Sequence, residues 1–342
     1  MRLRPRLAAS AALSTMLGLA AAGAALAWGG SGHRMIGEAA IETLPPELPA
    51  FLRTHASAMV VGELSREPDR SRGSGKAHDS DRDPGHYVDG DDAGQIPGTQ
   101  LSLQALPPTR DEYEAALRAV GESSWKIGYL PYSIVEDWQQ LAKDFAFWRI
   151  EDAGARFTHD AGHKAWLEAD RGRREQQILL DIGFLSHFVG DGSMPLHVSI
   201  HHDGWGAYPN PNGYTMEHVH VSWEGLYVRQ VVTPEAMRAA MRPFQDCNCP
   251  IEQRVGAYLM NDYQSVTPFY DLEKAGAFKP GVIKGVEFTT GRVAAGASEL
   301  RDEIILAWRA SSDGRVGYRP EVSVADVEAG KIDPYDILYG AD

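Results

Sequence analysis

The sequence predicts a mainly α protein, a single compact multi-helix domain with long active-site loops, and three observations carry that prediction. Apolar residues recur at three- and four-residue steps through much of the chain, as in Ile134, Trp138, Leu141, Phe145 and Trp148. No alternating run of β-branched residues is long enough to suggest a sheet. Only two cysteines, Cys247 and Cys249, are present, so the fold does not rest on a disulfide framework.

At the start, Arg2, Arg4 and Arg6 lead into a small-residue apolar run that closes on Ala25-Leu26-Ala27. These are the charged, apolar and cleavage-site parts of a secretory signal peptide over residues 1–27. Cleavage between Ala27 and Trp28 places the protein in the periplasm or outside the cell. An uncleaved membrane anchor is disfavoured because a good cleavage site bounds the run. Losing the three arginines moves the formal charge from −14 to −17. So acidic a chain is unsuited to gripping duplex DNA by counterion release, although bound cations restore positive potential locally.

After Trp28, helices are predicted over 34–44 and 47–55, the second behind Pro45-Pro46. Residues 65–94, rich in Asp, Arg, Gly and Ser, read as a long loop of the kind that carries function. Helical spacing returns over 111–120, 133–153 and 176–189, and 204–214 is a Gly/Pro/Asn loop. Further helices are expected over 216–227, 234–241, 252–264 and 293–310. From about 311 an irregular tail packs on the domain with Tyr318, Tyr335 and Tyr339 as anchors. Residues 28–342 thus read as one domain, and the two cysteines as free or locally bridged thiols on a surface loop.

The densest chemistry is H-F-V-G-D-G-S-M-P-L-H, from His187 through Asp191 to His197. Imidazole and carboxylate are zinc ligands, and a four-residue step sets His187 and Asp191 on one helix face. His220 and Glu224 repeat that step in H-V-S-W-E. A lone buried histidine is usually a satisfied core residue, but two imidazoles and a carboxylate in one apolar run are costly to bury without a metal. A zinc hydrolase is the first reading. His218 competes with His220, which is preferred because Trp223 and Glu224 complete its motif. Trp223 itself is expected in the core, and His55, His78, His159, His163, His201 and His202 on the solvated surface.

Four motifs then stand in one order: W-G-x-x-G-H from Trp28 to His33, H-Y-x-D from His86 to Asp89, the His187–His197 run, and H-x-x-W-E. Together with a loop aspartate they resemble the secreted, zinc-dependent single-strand-specific nucleases of fungi and plants, and the zinc-dependent bacterial phospholipases C of the same superfamily. The resemblance spans residues 28–224 and continues into the following helices. It implies their helical fold and three zinc ions. Asp69, His86, His187 and Asp191 would hold the first; His197, His220 and Glu224 the second. His33, Asp191 and the backbone amine and carbonyl of Trp28 would hold the third, with Asp191 bridging. The amine exists as a ligand only after cleavage.

The resemblance further implies phosphodiester hydrolysis by metal-activated water, without a protein nucleophile. Asp69 would orient the water and Arg72 would steady charge on the phosphate. Glu67-Pro68 stands where the nucleases have Trp-Ala, which leaves Asp79, Asp81 and Asp83 as rivals of Asp69. Tyr87 would stack on a base and Asp89 accept from a base edge, as single-stranded DNA or RNA requires. Such an endonuclease leaves 5′-phosphates and can act as a 3′-nucleotidase.

A phospholipase C acting on phosphatidylcholine-type lipids is the alternative, favoured by Glu224 but not by Ser31 and Arg70, which stand where that family's choline cage has other residues. Gly192-Ser193-Met194 and Asp203-Gly204-Trp205 also depart from the nuclease pattern. The third reading is an exported zinc-binding protein without turnover. No stable protein partner is implied.

Overall fold

The structure, a computed structural model, describes residues 28–340; the segment read as a signal peptide and its cleavage site lie outside the described residues. The mainly helical prediction holds. Helix α1 (Gly29–Glu42) follows Trp28, and α2 (His55–Leu64) starts where the Thr54 hydroxyl accepts the Ser57 N–H. The helix expected over 47–55 is instead a string of turns, because Pro49 cannot donate to a helical ladder and the N–H groups of Leu52 and Arg53 bond only three residues back.

The expected long loop contains α3 (Glu67–Arg70), α4 (Lys76–Arg82) and a 3₁₀ turn over Asp83–His86. Proline opens the first and the last of these, and α4 buries no residue, so no apolar periodicity announces it. Next come α5 (Arg110–Ala119), opened by a capping box between Thr109 and Glu112, and the single turn α6 (Ser124–Ile127).

Helices α7 (Leu130–Phe157) and α8 (Ala161–Asp191) form a long hairpin. Apolar spacing over 176–189 marks only the second half of α8. Its first half meets α7 through charge: Arg171 donates to Asp152 at 2.6 Å, and the Trp148 indole N–H to Glu175 at 3.1 Å.

The helix expected over 216–227 starts only at His220, where the Asp203 carboxylate accepts the N–H groups of Val219 and His220. It then runs as a π-helix over Ser222–Tyr227 into α9 (Val228–Val231). After it come α10 (Pro234–Ala240), α11 (Ile251–Tyr263), α12 (Val266–Lys274) and α13 (Ile283–Ala310), of which α12 was not foreseen.

Helices α1, α7, α8 and α13 enclose the main core, with Ile36, Phe145, Ile182, Leu300 and Ile304 fully buried. Gly190 on α8 lets α1 approach, since a Cβ there would stand 2.9 Å from Nδ1 of His33.

The expected irregular tail is ordered into elements. Strands β1 (Arg315–Val316) and β2 (Val322–Ser323) pair antiparallel, and α14 (Val324–Glu328) and α15 (Tyr335–Leu338) follow. Val316, Val322, Val324 and Val327 bury a small second core against Ala146, Ile150 and Ala153 of α7. Tyr335 stacks on His163 at 4.0 Å and Tyr339 packs on Trp166 at 4.3 Å, whereas Tyr318 is 82% exposed and anchors nothing.

Candidate metal centre

One site gathers side chains that the sequence scatters over nearly two hundred positions. The C-terminal end of α8 brings His187 and Asp191; the 3₁₀ turn Asp83–His86 and a second, Pro195–His197, bring His86 and His197; α1 brings His33; the start of the π-helical segment brings His220 and Glu224. All seven side chains are buried. Asp191 is the hub: Nε2 of His33 lies 3.4 Å from Oδ1, while Nδ1 of His86 and Nε2 of His187 lie 3.1 and 3.4 Å from Oδ2.

A second group stands beside it. Nε2 of His220 is 2.9 Å from Oε2 of Glu224 and 3.1 Å from Nε2 of His197. Donors bound to one tetrahedral zinc ion stand about 3.4 Å apart, as bonds of about 2.1 Å require. Three donor sets are compact enough to hold an ion: His33, Asp69 and His187; His86, His187 and Asp191; and His197, His220 and Glu224.

The tautomers make the case for a cation. His187 donates Nδ1–H to the carbonyl of Ser65 at 2.9 Å, His197 to that of His86 at 2.6 Å, and His220 to that of His202 at 2.6 Å. Each Nε2 is then a lone pair aimed into the site, the arrangement that fixes histidines on metals. The facing Nε2 atoms of His197 and His220 cannot hydrogen-bond to each other as neutral rings, so something positive must lie between them, a proton or a metal ion. Oδ1 of Asp191 and Oδ1 of Asp69 are also buried without accepting a hydrogen bond.

Electrostatics point the same way. Burial among other imidazoles holds His86 and His197 well below the usual histidine range, so both are neutral and could serve as ligands. Burial raises Asp191 to about 7 against the pull of His187. Burial opposes protonation of His187, but Asp191 and Asp69 carry it up to about 9. Without a cation these donors would keep protons between them.

A pH dependence follows. His187 titrates near 6.5 when unfolded and about 9 when folded, so the stability its proton supplies is present below 6.5 and is lost as pH rises towards 9. Zinc competes with that proton. The rise in Tm on adding zinc should therefore be larger at pH 8.5 than at 6.5 in thermal melts of the chelator-treated protein, and a gain that shrinks with pH would contradict it.

Of the sequence candidates, Asp69 sits on α3 with Oδ1 4.0 Å from Nε2 of His187 and 3.5 Å from Nη1 of Arg72. Among its rivals, Asp79 pairs with His78, Asp81 is exposed, and Asp83 faces the Nε of Arg72 at 3.5 Å. His220 faces the cluster; His218 is 91% exposed and binds Asp203 at 2.7 Å. Trp28 is buried, its indole N–H 2.8 Å from both the Gly190 carbonyl and the Ser193 hydroxyl, and its own carbonyl accepts the Gly32 N–H at 3.0 Å. Trp223 is in the core and packs on Trp28 at 5.2 Å.

Tyr87 follows His86 directly and Asp89 two residues later, the segment fixed by the Val88 N–H to the His197 carbonyl at 2.8 Å and the Asp89 N–H to the Ile127 carbonyl at 2.7 Å. Gly128 makes that approach possible: at φ 84°, a Cβ there would overlap the Tyr87 carbonyl.

One surface assignment is corrected. His201 is buried, stacked on Trp205 at 3.7 Å and held between the Trp205 carbonyl and Asp92, each at 2.7 Å. His163 is likewise half-buried against the tail. Asp203, which positions His220, was missed as a site residue; only its place in the Gly/Trp loop marked it. Scanned against protein-family models the chain matches none, and a search of curated proteins finds no match.

Proposed function

We propose that this chain is an exported, zinc-dependent phosphodiesterase that cuts single-stranded DNA or RNA, with three ions held as the motif resemblance implies. The observation that carries the reading is the convergence of carbonyl-fixed Nε2 lone pairs and buried carboxylates on one cluster, with Tyr87 and Asp89 next to its ligand His86. Bound zinc would supply the Lewis acidity that activates water and neutralises charge on a phosphate.

The chain's own groups divide the remaining work. Asp69, on the rim of the cluster, would hold and orient a water, and Arg72, 3.5 Å from it, would supply positive charge to a phosphate oxygen. The Tyr87 hydroxyl donates to the Trp125 carbonyl at 2.6 Å, which fixes the half-buried ring for stacking on an unpaired base. Burial raises Asp89 to about 7, so near neutrality its carboxyl can donate to or accept from a base edge.

Glu224 and the exposed Met216, Val221 and Leu226 near it favour the second reading, a phospholipase meeting lipid. Among the described residues no helix is long and apolar enough to cross a membrane. Processed protein beginning at Trp28 should release nucleotides from single-stranded DNA, stop with chelator, recover with zinc, and leave phosphatidylcholine intact. Tyr87→Ala should raise KM for DNA about tenfold while zinc content holds, as loss of one stacked base predicts. Cleavage of lipid alone would move the site to a phospholipase, and turnover of neither substrate would leave a zinc-binding protein.

A further inference from the structure

Cys247 and Cys249 are joined, although only Asn248 separates them. The bridge holds together residues that the chain already holds together, and their surroundings are fixed by other means. Upstream, the Arg242 N–H donates to the Ser298 hydroxyl at 3.1 Å and the Gln245 N–H to Asp302 at 3.0 Å. Downstream, Arg254 donates to the Gln245 carbonyl at 2.9 Å and pairs with Glu299 at 2.7 Å. Opening the bridge therefore leaves both ends of the turn anchored on α13, and the two thiols remain close enough to close again.

Closing so short a ring constrains the backbone between the two half-cystines. The ring must contain two planar peptide units, and Asn248 between the half-cystines sits in the left-handed region at φ 50°. The Asn248 N–H donates to the Asp246 side chain at 2.7 Å, which supports the turn but does not remove the strain. Access is open as well: Cys247 is exposed, Cys249 is half-buried, and both line a cleft of about 930 Å³. Cys249 also lies two residues before the thirteen-residue α11, whose N-terminal amides favour a thiolate.

We propose that the Cys247–Cys249 pair is a thiol–disulfide exchange site that oxidises external dithiols of small molecules or peptides. A thiolate of the dithiol attacks Sγ of Cys247, the S–S bond breaks, and Cys249 leaves as thiolate at the start of α11. The second thiol of the same dithiol, giving up its proton, then attacks its own sulfur in the mixed disulfide and releases Cys247. Two electrons pass to the protein, which ends as two thiols, while the dithiol becomes a disulfide.

The test equilibrates the processed protein in glutathione buffers of graded composition, traps thiols by alkylation and reads the reduced fraction by mass, with circular dichroism alongside. The expected equilibrium constant for reduction is about a hundredfold or more above that of a long-loop structural disulfide measured in the same buffers, with the fold intact. Asn248→Val, which cannot relax into the left-handed region, should raise it about tenfold further. A reduced dithiol peptide mixed with the oxidised protein should be oxidised one for one. A bridge that opens only when the helical signal is lost, or a constant that Asn248→Val leaves unchanged, would overturn the proposal.

Discussion

Asp191→Ala is expected to lower kcat/KM by about 10³-fold or more, because one carboxylate faces three of the clustered imidazoles. Its two oxygens lie within 3.4 Å of His33, His86 and His187, and it is fully buried. Removing it would take a negative donor from a site otherwise made mostly of neutral imidazoles, so zinc content should fall with activity. The metal-free fold should behave differently. Burial pushes Asp191 up to about 7, which means that near neutrality its charged form is a burden on the apoprotein, and Asp191→Asn should melt no lower than the parent in chelator. Steady-state hydrolysis, elemental analysis and paired melts with and without zinc separate the two effects. An Asp191→Ala protein that keeps its full zinc and activity would remove the hub from the account.

Extending the mature chain by two residues before Trp28 is expected to cost about 10²-fold in activity and one ion. The indole of Trp28 is locked between Gly190 and Ser193, one residue before and two after Asp191, so the backbone at Trp28 is pinned beside the donor group. A free α-amine there becomes a ligand once deprotonated, and an amide made by a preceding residue does not. The comparison is made between protein with a confirmed Trp28 terminus and protein carrying the extension, at equal zinc. Equal activity of the two would refute the proposed third site while leaving the other two donor groups in place.

Much of this was legible in the sequence, for identifiable physical reasons. Helices that bury an apolar stripe declare it, and 133–153 falls within α7, which spans Leu130–Phe157. Segments held by charge do not: the first half of α8 faces α7 through Arg171 and Glu175, and α13 buries Glu299, Asp302 and Glu303 beside Arg242 and Arg254. The ligand-type residues were readable because their side-chain chemistry is unusual in an apolar run. The groups that orient them were not, since Ser65, His86 and His202 act through backbone carbonyls that every residue possesses. The tail misled for a related reason, because four valines spread over twelve positions show no period until β1 and β2 pair.

The converging side chains of His86, His187, His197 and His220, with Asp191 and Glu224, are proposed to hold zinc. Elemental analysis of the processed protein, purified without chelator and dialysed against metal-free buffer, measures this directly. Close to three zinc ions per chain are expected, lost to a strong chelator and regained on adding zinc. A folded protein that retains no zinc and takes up none would contradict it.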